Sequence, residues 1–367
     1  MNDIAASAPA ASAAETRHAQ FSFSGNAKEY FGIWIVNLLL SIVTVGIYTA
    51  WAKVRRLRYF YGNTWLDGHN FEYHARPVQI LIGRIVVFGV LILLNILVNL
   101  HPLFFVLFIP YLIALPWVIN KSLAFTARMT SYRNVRFNFA GSYWGAAGVF
   151  IGMPILAAMS AGLLAPISSQ LSSNYLGKHT GYGAAKFATD APVPALYGNL
   201  GMTILFALLV SVVSGAIGFA AGGGVAVVMP TITGVTDDID PQTLFAAFPI
   251  VATLIGVYAS IFLAYIFYAA GVRNIAYNAT LLDSCHRLRS TLGRRRYTWI
   301  LVSNLFASLF TLMLLRPWAA VRTWRYLAAN TSVAIAGTLD EIVETAAPEG
   351  NVAAAEFFDI EGIDFGL

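Results

Sequence analysis

Stretches without Asp, Glu, Lys or Arg recur along the chain and mark the segments that can enter a lipid bilayer. They cover residues 30–52, 85–119, 137–177, 197–236, 241–272 and 297–315. A membrane-spanning helix needs about 20 apolar residues, so the longer stretches hold a helix and a turn, or two helices. The pattern predicts spanning helices over residues 78–99, 102–120, 197–222 and 244–272.

An aromatic and basic segment occurs twice in the chain. Residues 51–64 read WAKVRRLRYFYGNT and residues 318–331 read WAAVRTWRYLAANT, with 8 of 14 positions identical. At a different offset, FSFSG at 21–25 aligns with FNFAG at 137–141. Such self-similarity is the sign of repeated structural units. We predict three units that begin near residues 21, 137 and 287, of which the middle one has diverged.

Short strands are expected between the helices. Asp67 and Gly68 form a turn signal, and Phe71 and Tyr73 alternate with polar residues as in a strand. The FSFSG and FNFAG segments alternate in the same way. Because a two-stranded ribbon is only marginally stable alone, these strands are expected to pair with one another on the cytoplasmic membrane surface.

Composition supports a membrane assignment. Hydrophobic residues form 58% of the chain and charged residues 11%, whereas about a quarter of a soluble domain is charged. A soluble fold could not cover that much apolar surface with polar groups. An ordinary soluble enzyme and a mainly disordered chain are therefore excluded. A disulfide scaffold is excluded because Cys285 is the only cysteine.

The distribution of basic residues predicts which loops face the cytoplasm. Most of the Lys and Arg residues fall in four loops, at 53–84, 120–136, 273–296 and 316–325. Basic loops stay in the cytoplasm. The linkers at 99–102 and 236–243, which lack Lys and Arg, are therefore expected outside.

This assignment requires three further apolar segments to begin and end on the same side. They lie at 30–52, 142–167 and 297–315. One solution is that they are re-entrant or interfacial, with breaks near Gly46 and Pro317. The alternative is a full crossing, which the continuous helical face from Tyr30 to Arg58 favours.

The predicted fold is a multi-pass, all-α membrane bundle with internal repeats, re-entrant or interfacial helical elements and short cytoplasmic β-strands. Residues 1–20 are expected to form a flexible tail and residues 21–326 the membrane domain. Residues 327–367, which contain acidic residues and no Lys or Arg, are expected to form a cytoplasmic tail.

Several of these segments together resemble a known family. FSFSG, WAKVRRLRY, NTWLDGHNFEY and NIAYNATLLDSCHRLRSTL are similar to segments of the YjgN-like bacterial inner-membrane proteins, a domain of unknown function. The resemblance covers nearly the whole chain from about residue 21. It implies a multi-pass protein of the bacterial inner membrane and implies no reaction.

Two groups of polar residues share equivalent helical faces inside apolar segments. They are Tyr30, Asn37, Ser41 and Thr44 in one copy, and Tyr297, Asn304, Ser308 and Thr311 in the other. Polar groups within a bilayer are costly unless they are paired or face a cavity. The two faces therefore line a path for a substrate or ion, or they form hydrogen bonds between helices.

Basic residues next to the apolar segments are candidate contacts for anionic lipid headgroups. They are Lys53, Arg55, Arg56, Arg58, Arg322 and Arg325. The alternative is that they act only as a topology signal. Nucleic acid is not expected as a partner, because the excess positive charge lies in loops beside the membrane. The sequence does not indicate protein partners.

Residues with catalytic or metal-binding chemistry form no recognisable site. Asp67, His69, Glu72 and His74 match no standard zinc spacing, so neither a metal nor another cofactor is expected. Cys285 and His286 are adjacent in sequence, and neighbouring side chains on a helix point apart.

The favoured function is a non-enzymatic membrane scaffold, sensor or lipid-organising protein. The alternative is a channel or transporter with a polar path between pseudo-symmetric units. An embedded enzyme is the third and least favoured possibility. Buried acids typical of proton-coupled transporters are absent from the apolar stretches.

Overall fold

A computed structural model describes residues 16–233 and 241–337 as helices, strands and connecting turns. The helices are α1 (Ala27–Val43), α2 (Thr49–Gly62), α3 (Pro77–Leu100), α4 (Phe108–Arg128), α5 (Tyr143–Ala146), α6 (Met153–Met159), α7 (Ala165–His179), α8 (Val193–Thr233), α9 (Pro241–Asn278), α10 (Arg294–Phe310) and α11 (Arg316–Ala329). A short 3-10 helix at Pro102–Leu107 precedes α4, and a π-helical turn at Ala147–Gly152 joins α5 to α6.

Short strands separate the helices. They are β1 (Thr16–Gln20), β2 (Ser22–Phe23), β3 (Thr64–Leu66), β4 (His69–Tyr73), β5 (Thr130–Tyr132), β6 (Val135–Phe139), β7 (Thr180–Tyr182), β8 (Ala185–Thr189), β9 (Thr280–Leu282), β10 (His286–Ser290) and β11 (Thr331–Ala336).

All 11 strands form one antiparallel sheet that is nearly closed into a ring, in the order β1-β11-β10-β9-β8-β7-β6-β5-β4-β3-β2. The two end strands of this order, β1 and β2, are separated in sequence only by Phe21. The Phe21 backbone N–H donates to the Thr331 carbonyl at 3.0 Å, which continues the pairing with β11. The expectation of a few short surface strands is therefore corrected to one extensive sheet, because every strand between the two end strands pairs on both sides.

The helices leave the ring in five pairs, and each pair brings the chain back to the ring. The first pair, α1 and α2, connects β2 to β3, which are themselves paired. Helix ends therefore lie at one mouth of the ring, called here the helical mouth. The tight turns between strands lie at the opposite mouth. One of them pairs Leu66 with His69 across Asp67 and Gly68, both with positive φ, as a two-residue hairpin turn requires.

Four helical segments are long and apolar enough to cross a membrane. They are Pro77–Leu100, Pro102–Arg128, Val193–Gly218 and Val251–Asn278. These segments correspond to the spanning helices predicted from the charge-free stretches. Pro102–Arg128 and Val251–Asn278 extend beyond their predicted C-terminal bounds, because these helices continue into polar residues.

The three ambiguous segments form helical hairpins in the structure. Helix α1 ends at Val43 and α2 begins at Thr49, with Val45 and Gly46 in the left-handed region between them. The break near Gly46, which the re-entrant alternative placed there, is present, and the helical face from Tyr30 to Arg58 is interrupted by it. Equivalent left-handed turns separate α6 from α7 and α10 from α11.

Helix α11 also explains the role of the second predicted break point. Pro317 lies in the first turn of α11, where its missing N–H costs no helical hydrogen bond. Residues assigned from the sequence to the two tails partly belong to the sheet. Residues 16–20 form β1, and residues 327–336 complete α11 and form β11. The remaining predicted tail residues, 1–15 and 338–367, lie outside the described part of the chain.

Candidate functional site

An apolar cavity lies where the helices meet the ring. Its volume is about 430 Å³, within the range of ligand pockets in proteins. Both sheet and helices line it, through Phe21, Tyr61, Thr64, Leu66, Phe71, Tyr132, Phe137, Tyr182, Phe187, Arg273, Tyr277, Leu282, Leu288, Trp324, Leu327, Ala328, Thr331 and Val333. We name it the aromatic cavity.

Strand alternation explains why aromatic rings point into this cavity. Side chains two residues apart share a face of a strand, and Phe71, Phe137 and Phe187 occupy the middle of β4, β6 and β8. Phe21 occupies the corresponding place between β1 and β2, and stacks on Phe71 with ring centroids 5.8 Å apart. The inner face of the ring is consequently aromatic at the level of the cavity.

Some lining residues of the cavity also belong to a buried apolar cluster inside the ring. Leu66, Tyr132, Tyr182 and Leu282 belong to one buried cluster on the inner faces of the strands. The Tyr132 hydroxyl donates to the Leu66 carbonyl at 2.8 Å, and the Tyr182 hydroxyl donates to the Tyr132 carbonyl at the same distance. Burial raises the pKa of Tyr132 to about 12, so its phenol remains a neutral hydrogen-bond donor.

The second helices of three pairs contribute the rest of the lining. Tyr61 in α2, Tyr277 in α9 and Trp324 in α11 lie close to the points where their helices enter the ring. The Trp324 indole N–H donates to the Thr64 hydroxyl at 2.9 Å, which joins α11 to the start of β3. This hydrogen bond therefore links the first and last helical pairs beside the cavity.

Arg273 is the only formally charged residue among the described residues that line the aromatic cavity. Its Nη1 donates to the Ser290 hydroxyl at 2.6 Å and its Nη2 to the Thr331 hydroxyl at 2.8 Å. The guanidinium also lies 4.3 Å from the ring centroid of Tyr277, within the range of a cation–π interaction.

Two clefts adjoin the aromatic cavity between helical pairs, with volumes of about 570 and 300 Å³. One shares the lining residues Phe187, Arg273 and Tyr277 with it. The other shares Tyr61 and Phe71. The space at the helical mouth therefore extends sideways between the helices.

The first group of predicted polar residues stabilises the α1–α2 hairpin. Asn37 is buried and accepts a long hydrogen bond of 3.4 Å from Arg55. Tyr30 is buried against Tyr59, with stacked rings 5.2 Å apart. The Ser41 hydroxyl donates to the carbonyl four residues earlier. Thr44 accepts the Tyr48 backbone N–H, and this bond closes the turn between the helices.

The second group makes stronger contacts in the α10–α11 hairpin. The Asn304 amide donates to the Thr323 hydroxyl at 2.9 Å and to the Ala319 carbonyl at 3.1 Å, and it accepts from Arg322 at 3.0 Å. Ser308 is buried, and Thr311 accepts the Leu315 backbone N–H at the turn. Tyr297 stacks with Tyr326 at 6.5 Å.

The two polar faces therefore each pair with the second helix of their own hairpin. None of the eight predicted residues lines the aromatic cavity. Their contacts resemble the interhelical hydrogen bonds that the sequence offered as the alternative to a polar path.

Protein atoms already engage most of the predicted headgroup-binding residues. Arg55 contacts Asn37 and also donates to the Tyr48 hydroxyl at 3.1 Å. Arg58 donates to the Tyr73 and Ala75 carbonyls, which joins α2 to the end of β4.

The remaining residues of that set show a similar pattern. Arg322 donates to Ser303 and Asn304, and Arg325 donates to the Gly25 carbonyl at 2.9 Å. Arg56 is exposed and lies 6.0 Å from the ring centroid of Phe60. Lys53 also has an interaction partner within the protein.

The acidic and histidine residues considered as metal ligands are engaged elsewhere. Asp67 forms an ion pair with Arg17 at the mouth of the ring that holds the strand turns. His74 contacts the Ser131 hydroxyl at 2.7 Å and the Glu72 carboxylate at 3.4 Å. His69 contacts the Asp67 carbonyl through Nδ1 at 3.0 Å. His286, considered only as the neighbour of Cys285, accepts the Ala336 backbone N–H. No group of three or more potential metal ligands occurs in the described ranges, 16–233 and 241–337.

The aromatic cavity was not predicted from the sequence, although two of its signals were visible there. The alternating Phe residues were assigned to strands, but their common inner face depends on ring closure. Arg273 was counted with the basic loop at 273–296, whereas it lies within the helix Pro241–Asn278. Only uncharged residues follow Arg273 up to the end of this helix at Asn278, and that pattern was the signal available in the sequence.

Known proteins support the resemblance noted from the sequence. Residues 18–360 match a family described as bacterial protein of unknown function, DUF898. A protein named inner membrane protein YjgN from Escherichia coli O157:H7 is 34% identical over 153 residues, which cover 41% of this chain and 38% of the relative. The Salmonella typhimurium protein of the same name is 36% identical over 136 residues, covering 36% of this chain and 34% of the relative.

The chain thus spans about two fifths of the length of these relatives in the matched region. No solved structure matches this chain.

Proposed function

We propose, from the premise that this chain belongs to the DUF898 family of bacterial proteins of unknown function, that it is a non-enzymatic, lipid-organising protein of the inner membrane. In this role the aromatic cavity receives the acyl chain of a membrane lipid. The observation that carries the proposal is a cavity of about 430 Å³ with an aromatic lining at the point where the apolar helices join the sheet.

The position of the cavity supports an acyl-chain ligand. Helices α3 and α4 present apolar side chains such as Leu93 and Ile113 at their exposed surfaces, as expected where protein contacts lipid. The clefts between helical pairs extend the cavity towards that surface. An acyl chain gains about 0.8 kcal/mol for each methylene that leaves water, but a chain leaving the bilayer core gains less, so shape and headgroup contacts supply the selectivity.

The orientation follows from charge on the outer face of the sheet. Basic side chains are exposed on β6, β8 and β10, at Arg136, Lys186, Arg287 and Arg289. Under the positive-inside rule this surface faces the cytoplasm, with the C-terminal tail on the same side. The names of the relatives from Escherichia coli and Salmonella typhimurium support an inner-membrane location. A reporter fused after residue 238 is then expected on the periplasmic side, and a cytoplasmic signal would reverse the orientation.

The recurrence of helical pair and strands supports an internally repeated architecture. Each second helix is followed by a strand that begins with Thr, at Thr64, Thr130, Thr180, Thr280 and Thr331. In this proposal the repeat has five units, and the three units proposed from the sequence are a subset of them. Anionic headgroups would contact the exposed Arg56 and the outer rim of the helical mouth.

A channel or transporter remains the second candidate function. Its support is the burial of Asn37 and Asn304 within apolar helices. Against a path through the ring stands the apolar cluster that fills the inner faces of the strands. A path between helical pairs would instead have to break the hydrogen bonds of the two hairpins.

Binding of a long-chain fatty alcohol to the purified protein in detergent micelles tests the proposal. The uncharged alcohol reports on the cavity alone. Leu288→Trp fills the cavity and is expected to reduce binding about tenfold or more, because the ring occupies the space of the acyl chain. Leu93→Trp, on the exposed surface of α3, is the matched control and is expected to bind as the wild type does.

Equal binding by all three proteins would contradict the proposed function. The transport alternative is tested by ion flux into proteoliposomes. Flux that Asn37→Leu abolishes, without loss of folded protein, would favour the channel in place of the lipid-organising role.

A further inference from the structure

The single charge in the aromatic cavity has no counterpart in the other helical pairs. Arg273 lies seven residues before Thr280, the first residue of β9. The residues at the same distance before β3, β5, β7 and β11 are Leu57, Leu123, Ser173 and Trp324. Four of the five equivalent positions are therefore uncharged, and a positive charge is not a requirement of the fold at this place.

No acidic side chain within residues 16–233 and 241–337 neutralises the charge of Arg273. Its two recorded hydrogen-bond partners, Ser290 and Thr331, are neutral hydroxyls. No described acidic side chain forms an ion pair with it. A guanidinium carries five N–H donors in a fixed fork, so donors remain available after these two bonds.

The surrounding network holds the guanidinium in place. The Ser290 hydroxyl that accepts from Arg273 donates in turn to the Asn274 side chain at 2.7 Å. Asn274 is itself fixed by its bond to the Leu292 carbonyl at 2.8 Å. Such support pre-orients a cation without compensating its charge.

Three other polar side chains of the cavity already have hydrogen-bond acceptors. The hydroxyls of Tyr132 and Tyr182 donate to backbone carbonyls, and the Trp324 indole donates to Thr64. The lining consequently offers a ligand aromatic and aliphatic surface with one cationic donor group, at Arg273. That combination is complementary to an amphiphile with one negative headgroup.

Physical cost makes the unpaired charge informative. Arg273 is only partly exposed, and a charge that loses part of its hydration is costly unless a counter-charge is near. An ionisable residue in an apolar helix is also a candidate functional residue. Arg273 lies within the apolar segment Val251–Asn278. The missing counter-charge is therefore expected to come from a ligand.

We propose that the aromatic cavity binds a single-chain anionic amphiphile, with its carboxylate or phosphate on Arg273 and its acyl chain among the aromatic rings. The inference rests on the proposed function and names the lipid class that the cavity selects. A volume of about 430 Å³ is near the lower end of ligand pockets and has room for one acyl chain. The planar guanidinium matches either headgroup through paired hydrogen bonds.

A comparison of a long-chain fatty acid with the fatty alcohol of equal length tests this selection. The acid is ionised at pH 8, and the two ligands differ only in the headgroup. Loss of the charge-assisted bond in Arg273→Gln is expected to weaken fatty-acid binding about ten- to hundredfold. Fatty-alcohol binding by the same variant is expected to remain unchanged, which also shows that the cavity is intact.

Arg289→Gln is the matched control, because Arg289 is an exposed arginine on the outer face of β10. It is expected to bind both ligands as the wild type does. Arg273→Lys keeps the charge but loses the planar fork, and an intermediate affinity for the acid is expected.

Separate outcomes overturn the two proposals. If wild-type protein binds neither the alcohol nor the acid, the proposed function is wrong. If it binds both and Arg273→Gln weakens neither, or weakens both equally, the role of Arg273 is wrong while the cavity function stands. Inorganic phosphate that competes as well as a lysophosphatidic acid would show a site for a free anion, and that result would overturn the amphiphile assignment.

Discussion

The substitution Asn304→Leu should destabilise the protein considerably more than the same change at Asn37. Both residues lie on the first helix of a hairpin, and the two positions correspond within the aligned segments. Their exposed fractions are also nearly equal, at 6% for Asn304 and 7% for Asn37. Only their hydrogen bonds differ, so the pair forms an internal comparison.

The expected difference follows from the contacts. Asn304 makes two bonds to neutral groups, Thr323 and Ala319, and one bond to the Arg322 guanidinium. Bonds between helices in a membrane are worth about 0.6 kcal/mol each, and a bond to a charged group about 1.5–3 kcal/mol. Their loss gives about 3 kcal/mol. Asn37 has one long bond at 3.4 Å, worth under about 1 kcal/mol at that distance.

The buried leucine adds a similar apolar contribution at both positions, so the difference of about 2 kcal/mol should survive. It can be measured as the change in the free energy of unfolding during denaturant titration in mixed micelles. Circular dichroism follows the loss of helix, and size-exclusion chromatography confirms that each variant starts as folded protein. A loss at Asn37→Leu that equals or exceeds the loss at Asn304→Leu would refute the contact-based reasoning.

Close helix packing and tyrosine burial give two further predictions. A Cβ at Gly256 would lie 2.5 Å from the Ser214 hydroxyl, whereas a Cβ at Gly215 would meet nothing within 4 Å. Gly256→Leu should therefore lower the free energy of unfolding by about 2 kcal/mol. An equal effect of Gly215→Leu would contradict this packing. Burial raises the pKa of Tyr132 to about 12, whereas the unfolded chain releases the phenolic proton near pH 10. The contribution of neutral Tyr132 to the free energy of unfolding is therefore complete below pH 10 and is lost as the pH rises from about 10 to about 12. The ultraviolet difference titration of wild type against Tyr132→Phe should show this late phenolate, and an ordinary tyrosine pKa would contradict it.

The spanning helices could be predicted because their signal is local. An uninterrupted apolar run such as that of α3 identifies a helix without information from the rest of the chain. The turn at Asp67 and Gly68 was also predictable, because few residue types adopt positive φ readily. The breaks in the short hairpins were partly visible, since Gly46 marked one of them.

The ring could not be predicted in the same way. Pairing between β1 and β11 joins residues such as Arg17 and Ile335, which no local pattern connects. The aromatic cavity depends on that closure, because its rings come from strands far apart in sequence. Arg273 was visible as a residue, but its isolation from carboxylates is a property of the assembled structure and not of its neighbours in the chain.

The order of strands around the ring has a consequence for synthesis. From β3 to β11 every strand pairs with the one before it in the chain, so each newly made strand can join an edge that already exists. The last step is different, because β11 must meet β1 across most of the polypeptide. Until then β1 and β10 remain unpaired edges, which readily accept strands from other molecules. A ribosome that stalls before residue 331 would thus leave a sheet whose unpaired edges can bind strands of other molecules. Pairing of β11 with β1 and β10 removes these edges within each molecule.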